Sequence, residues 1–83
     1  MPTVLRIDGY QIMIYLDDHL PAHVHVFARG CELVVNLNCS TAFVSVRNND
    51  GFKNPEIAKI MRLVQSHRDE LCTTWRELHG NLQ

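Results

Sequence analysis

The sequence lacks a large excess of charge of either sign, and it lacks any long apolar run. Its 83 residues carry 8 Lys and Arg against 9 Asp and Glu, a formal net charge of −1 with the five histidines neutral. This balance excludes a protein held to nucleic acid by a broad positive field. No apolar run approaches the roughly 18 residues that a membrane-spanning helix needs. The first four residues do not resemble a signal peptide, so we expect a cytoplasmic protein without membrane association.

Cysteine is scarce, and its spacing is not that of a disulfide framework or a thiol metal site. The three cysteines are odd in number and form no C-x-x-C pair. Cys31 and Cys72 fall on or beside apolar positions, which predicts packing. Cys39 lies in a turn and is the only cysteine expected to be an exposed thiol.

The length allows one small domain, which we expect to span residues 1–83. At this size folding buries only roughly 60% of the surface of the unfolded chain. A monomer would therefore be marginally stable. We expect a surface for a partner protein or for a second copy in a homodimer.

Two turn signals divide the first half of the sequence into paired strands. Asp8-Gly9 and Arg29-Gly30 each separate two β-rich runs, as two-residue hairpin loops do. In both hairpins this register places aliphatic residues on one face and mixed polar residues on the other. Strands are predicted over residues 3–7, 10–16, 23–28, 31–37 and 42–46, which makes residues 1–47 a sheet of four to five antiparallel strands.

A helical segment is predicted over residues 54–80, after a loop at Asn48–Gly51. Asn54 suits the N-cap and Pro55 the first helical position. A continuous helix would be roughly 37 Å long against roughly 24 Å for five strands. We therefore expect a kink or two helices, with Ser66 as a second start signal. The predicted fold is α+β, with the helical segment covering one face of the sheet.

Two histidines, His23 and His25, are the outstanding local feature. They are two residues apart on a predicted strand, so their side chains project from the same face. The hairpin register places that face on the mixed side, away from the aliphatic core. Further polar residues expected on that face, or beside it, are Arg6, Tyr15, Glu32 and, in the preceding loop, His19.

Three interpretations of these residues are open. The imidazole pair could serve as acid and base in metal-independent phosphodiester cleavage, with Arg6 stabilising developing negative charge and with His19 and Tyr15 as further catalytic candidates. The pair could instead bind Zn²⁺ or another divalent ion with His19 or Glu32 as the third ligand. The histidines could also be ordinary strand residues that bond to neighbours or to a partner chain.

Several segments together resemble one family of small prokaryotic proteins, the domain of unknown function DUF 4160. They are Thr3–Tyr10, Asp18-His19, Pro21 and the run His23–Val26, and the likeness extends to a C-terminal helix with a tryptophan, here Trp75. Ala22 departs from the family pattern, which has two prolines directly before the first histidine. The resemblance implies the toxin of a type II toxin–antitoxin pair, with a small protein antitoxin encoded nearby as its partner.

The leading hypothesis is therefore a toxin that acts on RNA through His23, His25 and Arg6, with no cofactor. Two alternatives remain. One is a non-catalytic interaction module, such as an antitoxin or a regulator. The other is a metal-binding protein, with zinc as the candidate ion.

Overall fold

The computed structural model describes residues 3–80, and their side chains from residue 5 onward. Five strands form one antiparallel sheet in sequence order, and two helices follow. The elements are β1 (Thr3–Ile7), β2 (Tyr10–Ile14), β3 (His23–Ala28), β4 (Cys31–Asn36), β5 (Ser45–Asp50), α1 (Asn54–Ser66) and α2 (Arg68–His79). The predicted α+β fold is confirmed. No described helix is long and apolar enough to cross a membrane.

The two predicted hairpins form with the predicted register. Leu5 pairs with Ile12 across the first turn, and Ala28 pairs with Cys31 across the second. Asp8 and Gly9 have φ of 51° and 85°, the positive values that a type I′ hairpin turn requires. Strand β2 is shorter than predicted because it ends at Ile14.

Strand β5 lies later in the chain than predicted. It covers Ser45–Asp50 rather than residues 42–46, so the predicted loop from Asn48 was wrong and the sheet extends beyond residue 47. Val34 pairs with Asn48 and Val35 with Val46, which leaves Arg47 as the extra residue of a β-bulge. Every residue of β5 is exposed. Main-chain pairing thus defines this edge strand, and no apolar alternation marks it.

The helical segment is divided into two helices at His67, which confirms the expected kink or break. Two details differ from the prediction. Lys53 occupies the N-cap of α1 in place of Asn54, without a side-chain cap. The Ser66 hydroxyl donates to the Leu63 carbonyl at 2.8 Å instead of capping α2.

The core lies between the aliphatic face of the sheet and both helices. Ile60 and Val64 of α1 and Leu71 and Trp75 of α2 are buried in it. Their buried partners from the sheet and its loops are Tyr10, Ile12, Ile14, Ala22, Val24, Val26, Leu33, Val35, Leu37 and Phe52. The helices therefore cover the predicted apolar face.

A polar cluster fixes the start of α1 to the hairpin ends. The Tyr10 hydroxyl donates to Glu56 Oε2 at 2.6 Å, and the Arg29 guanidinium donates to the same oxygen. Hydrogen bonds from Arg29 and then from Tyr10 hold the pKa of Glu56 below its ordinary value. The bond to Glu56, together with burial, raises the pKa of Tyr10.

A disulfide joins Cys39 to Cys72, with Cα atoms 6.1 Å apart. The expectation that Cys39 is a free thiol and Cys72 only a packing residue was wrong. Cys31 is the free cysteine of the three. The pairing links the loop after β4 to α2, across 33 positions of sequence. Only the folded arrangement brings these cysteines together, so their spacing in the sequence gave no signal.

Candidate functional site

His23 and His25 project from the same side of β3, with ring centroids 5.1 Å apart. The register confirms this placement, since His25 lies opposite Met13 on β2 and Val34 on β4. The expected open face is not found at His23, which is buried. The Trp75 ring of α2 lies 5.5 Å from the His23 ring.

Asp18 completes the site from the loop between β2 and β3. A turn holds it in place: the Asp18 N–H donates to the Tyr15 carbonyl at 3.1 Å, and the Tyr15 N–H donates to Asp18 Oδ2 at 3.0 Å. The second oxygen, Oδ1, then lies 3.5 Å from His23 Nε2 and 3.4 Å from His25 Nε2. Oδ2 also lies 3.3 Å from His25 Nε2, so the Asp18 carboxylate faces both imidazoles.

Both imidazoles are oriented from their far side. His23 Nδ1 lies 2.9 Å from the Pro21 carbonyl oxygen, and His25 Nδ1 lies 2.8 Å from Glu32 Oε2. A carbonyl or an ionised carboxylate can only accept, so each Nδ1 carries the proton that it donates. A neutral ring then has its lone pair at Nε2. Both lone pairs therefore face Asp18.

The distances from Asp18 Oδ1 to the two Nε2 atoms fit ligands of a small cation better than direct hydrogen bonds. A charge-assisted N–H···O bond is typically about 2.7–2.9 Å long, which is shorter than either distance from Asp18 Oδ1. A tetrahedron's edge is about 1.63 times its centre-to-corner distance, so ligands at about 2.0–2.1 Å from an ion lie roughly 3.3–3.4 Å apart. Asp18, His23 and His25 each offer one such atom, all within 4.8 Å of one another.

Aromatic rings flank the two histidines. The Tyr15 ring lies 5.0 Å from the His25 ring, and the Phe27 ring is stacked 6.3 Å from the same ring. The side chains of His23, His25 and Asp18 are only 6%, 16% and 14% exposed. The site is therefore largely enclosed by protein.

The structure brings together some of the predicted site residues. His23, His25 and Tyr15 lie together, and Glu32 orients His25. Arg6 lies apart from the cluster. It pairs with Gln11 on β2, which places Arg6 two strands and two residues away from His25. The Cα atoms of Arg6 and His25 are therefore roughly 12 Å apart. His19 is exposed in the loop and is not one of the three clustered groups. The catalytic roles of all these residues stay predictions.

Sequence reasoning missed Asp18 as a member of the site and Trp75 as its neighbour. Asp18 follows the end of β2, where a turn was to be expected, and aspartate side chains commonly bond to nearby backbone N–H groups. Only the folded turn shows that the second oxygen reaches the histidines. Trp75 is buried in the core, and its ring also contacts His23.

Comparison with known proteins identifies the family. A protein-family model described as a domain of unknown function, DUF4160, matches residues 9–76. No curated protein and no solved structure matches the chain. The matched span contains the three clustered groups, Glu32 and Trp75. Because it covers most of the sequence, this protein belongs to the DUF4160 family.

Proposed function

We propose that this protein binds one divalent transition-metal ion through His23 Nε2, His25 Nε2 and Asp18 Oδ1. The observation that carries the proposal is the orientation of the two rings. Each Nδ1 is engaged by an acceptor, and each Nε2 faces the Asp18 carboxylate: His23 Nε2 lies 3.5 Å from Oδ1, and His25 Nε2 lies 3.4 Å from Oδ1 and 3.3 Å from Oδ2. Without a cation or an additional proton between them, these lone pairs would repel one another.

The surroundings of the three ligands support the same proposal. Metal-binding histidines commonly donate their other N–H to a carbonyl or a carboxylate, and ligating carboxylates are hydrogen-bonded in turn. Here Pro21, Glu32 and the Tyr15 N–H supply these partners. All three proposed ligands are therefore oriented before an ion arrives.

The donor set indicates the class of ion. Two imidazole nitrogens and one carboxylate oxygen suit Zn²⁺, Fe²⁺, Co²⁺ or Ni²⁺, whereas Mg²⁺ and Ca²⁺ prefer oxygen ligands. Three protein ligands leave at least one coordination position for water or a substrate atom. This arrangement is typical of metal sites that carry out chemistry rather than of closed structural sites.

The test is metal analysis of protein purified without a histidine tag. We expect about one equivalent of transition metal per chain after incubation with Zn²⁺ and gel filtration. Asp18→Asn and His25→Ala should lose most of it, because each removes a ligand. His19→Ala is the matched control, since it removes an exposed imidazole next to Asp18 and should retain the metal. Trace metal in the wild type, or equal loss in the control, would reject the proposal.

A second candidate function is the RNA-acting toxin of a type II toxin–antitoxin pair, inhibited by a small protein antitoxin. The observation that favours it is the position of His25, whose ring lies between the carboxylates of Glu32 and Asp18. A carboxylate-oriented imidazole is a common general base. Expression of the wild type should slow bacterial growth, and a His23→Ala/His25→Ala variant at equal soluble level should not. Equal growth of both strains would remove this candidate.

A further inference from the structure

Helix α2 contacts the candidate metal site at two points. The Trp75 ring packs against the ligand His23, and the His79 ring is stacked 4.0 Å from Trp75. His79 Nε2 also lies 3.0 Å from the Tyr15 carbonyl oxygen. The N–H of Tyr15 is the group that orients Asp18. The helix therefore supports one ligand directly and a second through the turn that holds it.

The opposite end of α2 is attached to the loop after β4. Cys72 forms the disulfide with Cys39, and the Arg68 guanidinium donates to the carbonyl oxygens of Asn38 and Thr41. Cys72 lies three residues before Trp75, so the two side chains share one face of the helix. The covalent link therefore holds the face of α2 that meets the metal site.

From this arrangement we infer that the Cys39–Cys72 disulfide is a redox control on metal binding at His23, His25 and Asp18. The inference rests on the proposed metal site. In the oxidised protein α2 is fixed and the ligands are held in place. In the reduced protein the helix is attached to the loop after β4 by non-covalent contacts alone, so the ligands are less well oriented and metal affinity falls.

The chemistry of the switch is thiol–disulfide exchange with a dithiol reductant. A thiolate of the reductant attacks Sγ of Cys39, which is more exposed than the buried Cys72. The S–S bond breaks, and Cys72 leaves as a thiolate that takes up a proton. The second thiol of the reductant then closes its own disulfide and releases Cys39 as a thiol. Two electrons and two protons pass to the protein, and the dithiol is oxidised.

The expected effect is weaker metal binding rather than its abolition. Changes in the groups that orient metal ligands typically reduce metal affinity about 10–100-fold. We therefore expect the reduced protein to bind Zn²⁺ at least about tenfold more weakly than the oxidised protein.

The experiment measures Zn²⁺ affinity by competition with a chelator. Three samples are compared: oxidised wild type, wild type reduced with dithiothreitol and then desalted without air, and Cys39→Ala/Cys72→Ala. The double variant should match the reduced protein, which also excludes zinc binding by the freed thiols. Cys31→Ala removes the free cysteine and should match oxidised wild type. Tyr10→Phe weakens the fold at the far end of β2 and should leave the affinity unchanged, so a general loss of stability is controlled.

Each outcome has a defined meaning. An affinity ratio of about ten or more between oxidised and reduced protein, reproduced by the double variant, supports the redox control. Equal affinities in the two states overturn it while leaving the metal site intact. Three titratable thiols that no oxidant can convert into an intramolecular disulfide overturn it as well. Absence of Zn²⁺ binding in every sample overturns the metal site itself.

Discussion

Removing the Cys39–Cys72 disulfide should destabilise the domain by an amount that can be worked out from the loop it closes. The two cysteines are 33 positions apart. For a loop of that length, the chain-entropy relation gives a contribution of about 3.7 kcal/mol at 25 °C. A domain of 83 residues is typically stable by only about 4–12 kcal/mol. The link would thus supply a large fraction of the total stability.

The test is urea unfolding of oxidised wild type and of Cys39→Ala/Cys72→Ala, with a chelator present so that bound metal adds nothing. We expect the double variant to lose about 2–4 kcal/mol, since real disulfides often contribute less than the entropic value. For a domain of this size the melting temperature should fall by roughly 10–30 °C. Cys31→Ala should lose far less because Cys31 closes no loop.

Three results would refute this reasoning. A loss below about 1 kcal/mol in the double variant would show that the link does not restrict the unfolded chain as the relation assumes. Equal stability of oxidised and reduced wild type would lead to the same conclusion. A large loss in Cys31→Ala would assign the effect to packing instead of to the closed loop.

Three further predictions concern other parts of the fold. The stability advantage of wild type over Glu56→Gln should be present at neutral pH and decline as the pH falls below about 4.5, because the pKa of Glu56 is lowered in the folded protein and its carboxylate is lost on acidification. Urea unfolding midpoints across the acid range measure this difference in stability, and a difference that stays constant with pH would contradict the prediction. Gly51→Ala should cost about 1–3 kcal/mol, because Gly51 has φ of 104° and an added Cβ would lie 2.8 Å from the Cys31 sulfur. A Cys31→Ala background should restore only part of that unfolding free energy, since the backbone strain persists, and complete restoration would contradict it. Trp75→Ala should cost roughly 3–5 kcal/mol of unfolding free energy. Trp75→Phe should cost clearly less, because the buried indole Nε1 has no hydrogen-bond partner that its removal would leave unpaired. Similar losses for the two variants in thermal melts would contradict this prediction.

The sheet and its hairpins were predictable because local and tertiary requirements coincide there. The Asp8-Gly9 turn and the alternation on β1 and β2 specify the same register. The same agreement holds for β3 and β4. At β5 these requirements diverge: the strand is exposed on both faces and carries a bulge at Arg47, so no apolar periodicity marked its bounds.

The candidate site also has a part that the sequence predicts and a part that it does not. His23 and His25 were predictable as a pair because strand geometry alone places residues i and i+2 on one face. Arg6 lies on that face as well, but the sequence does not show how far apart two strands place their side chains. The position of Asp18 depends on a turn, and His23 is packed against Trp75 of α2. Contacts of this kind arise from tertiary packing, which residue spacing does not encode.

The three proposed ligands differ in how firmly the fold holds them, and this difference links the metal site to helix α2. The histidines lie on an inner strand of the sheet, where His25 pairs with both neighbouring strands and His23 pairs with Asn36 of β4. Asp18 is held by a single backbone turn with Tyr15, and His79 contacts the carbonyl of that same residue. Loosening α2 should therefore displace the carboxylate before the imidazole pair. A reduced protein would retain the two nitrogen ligands and lose the oxygen ligand, which predicts weakened binding rather than abolished binding.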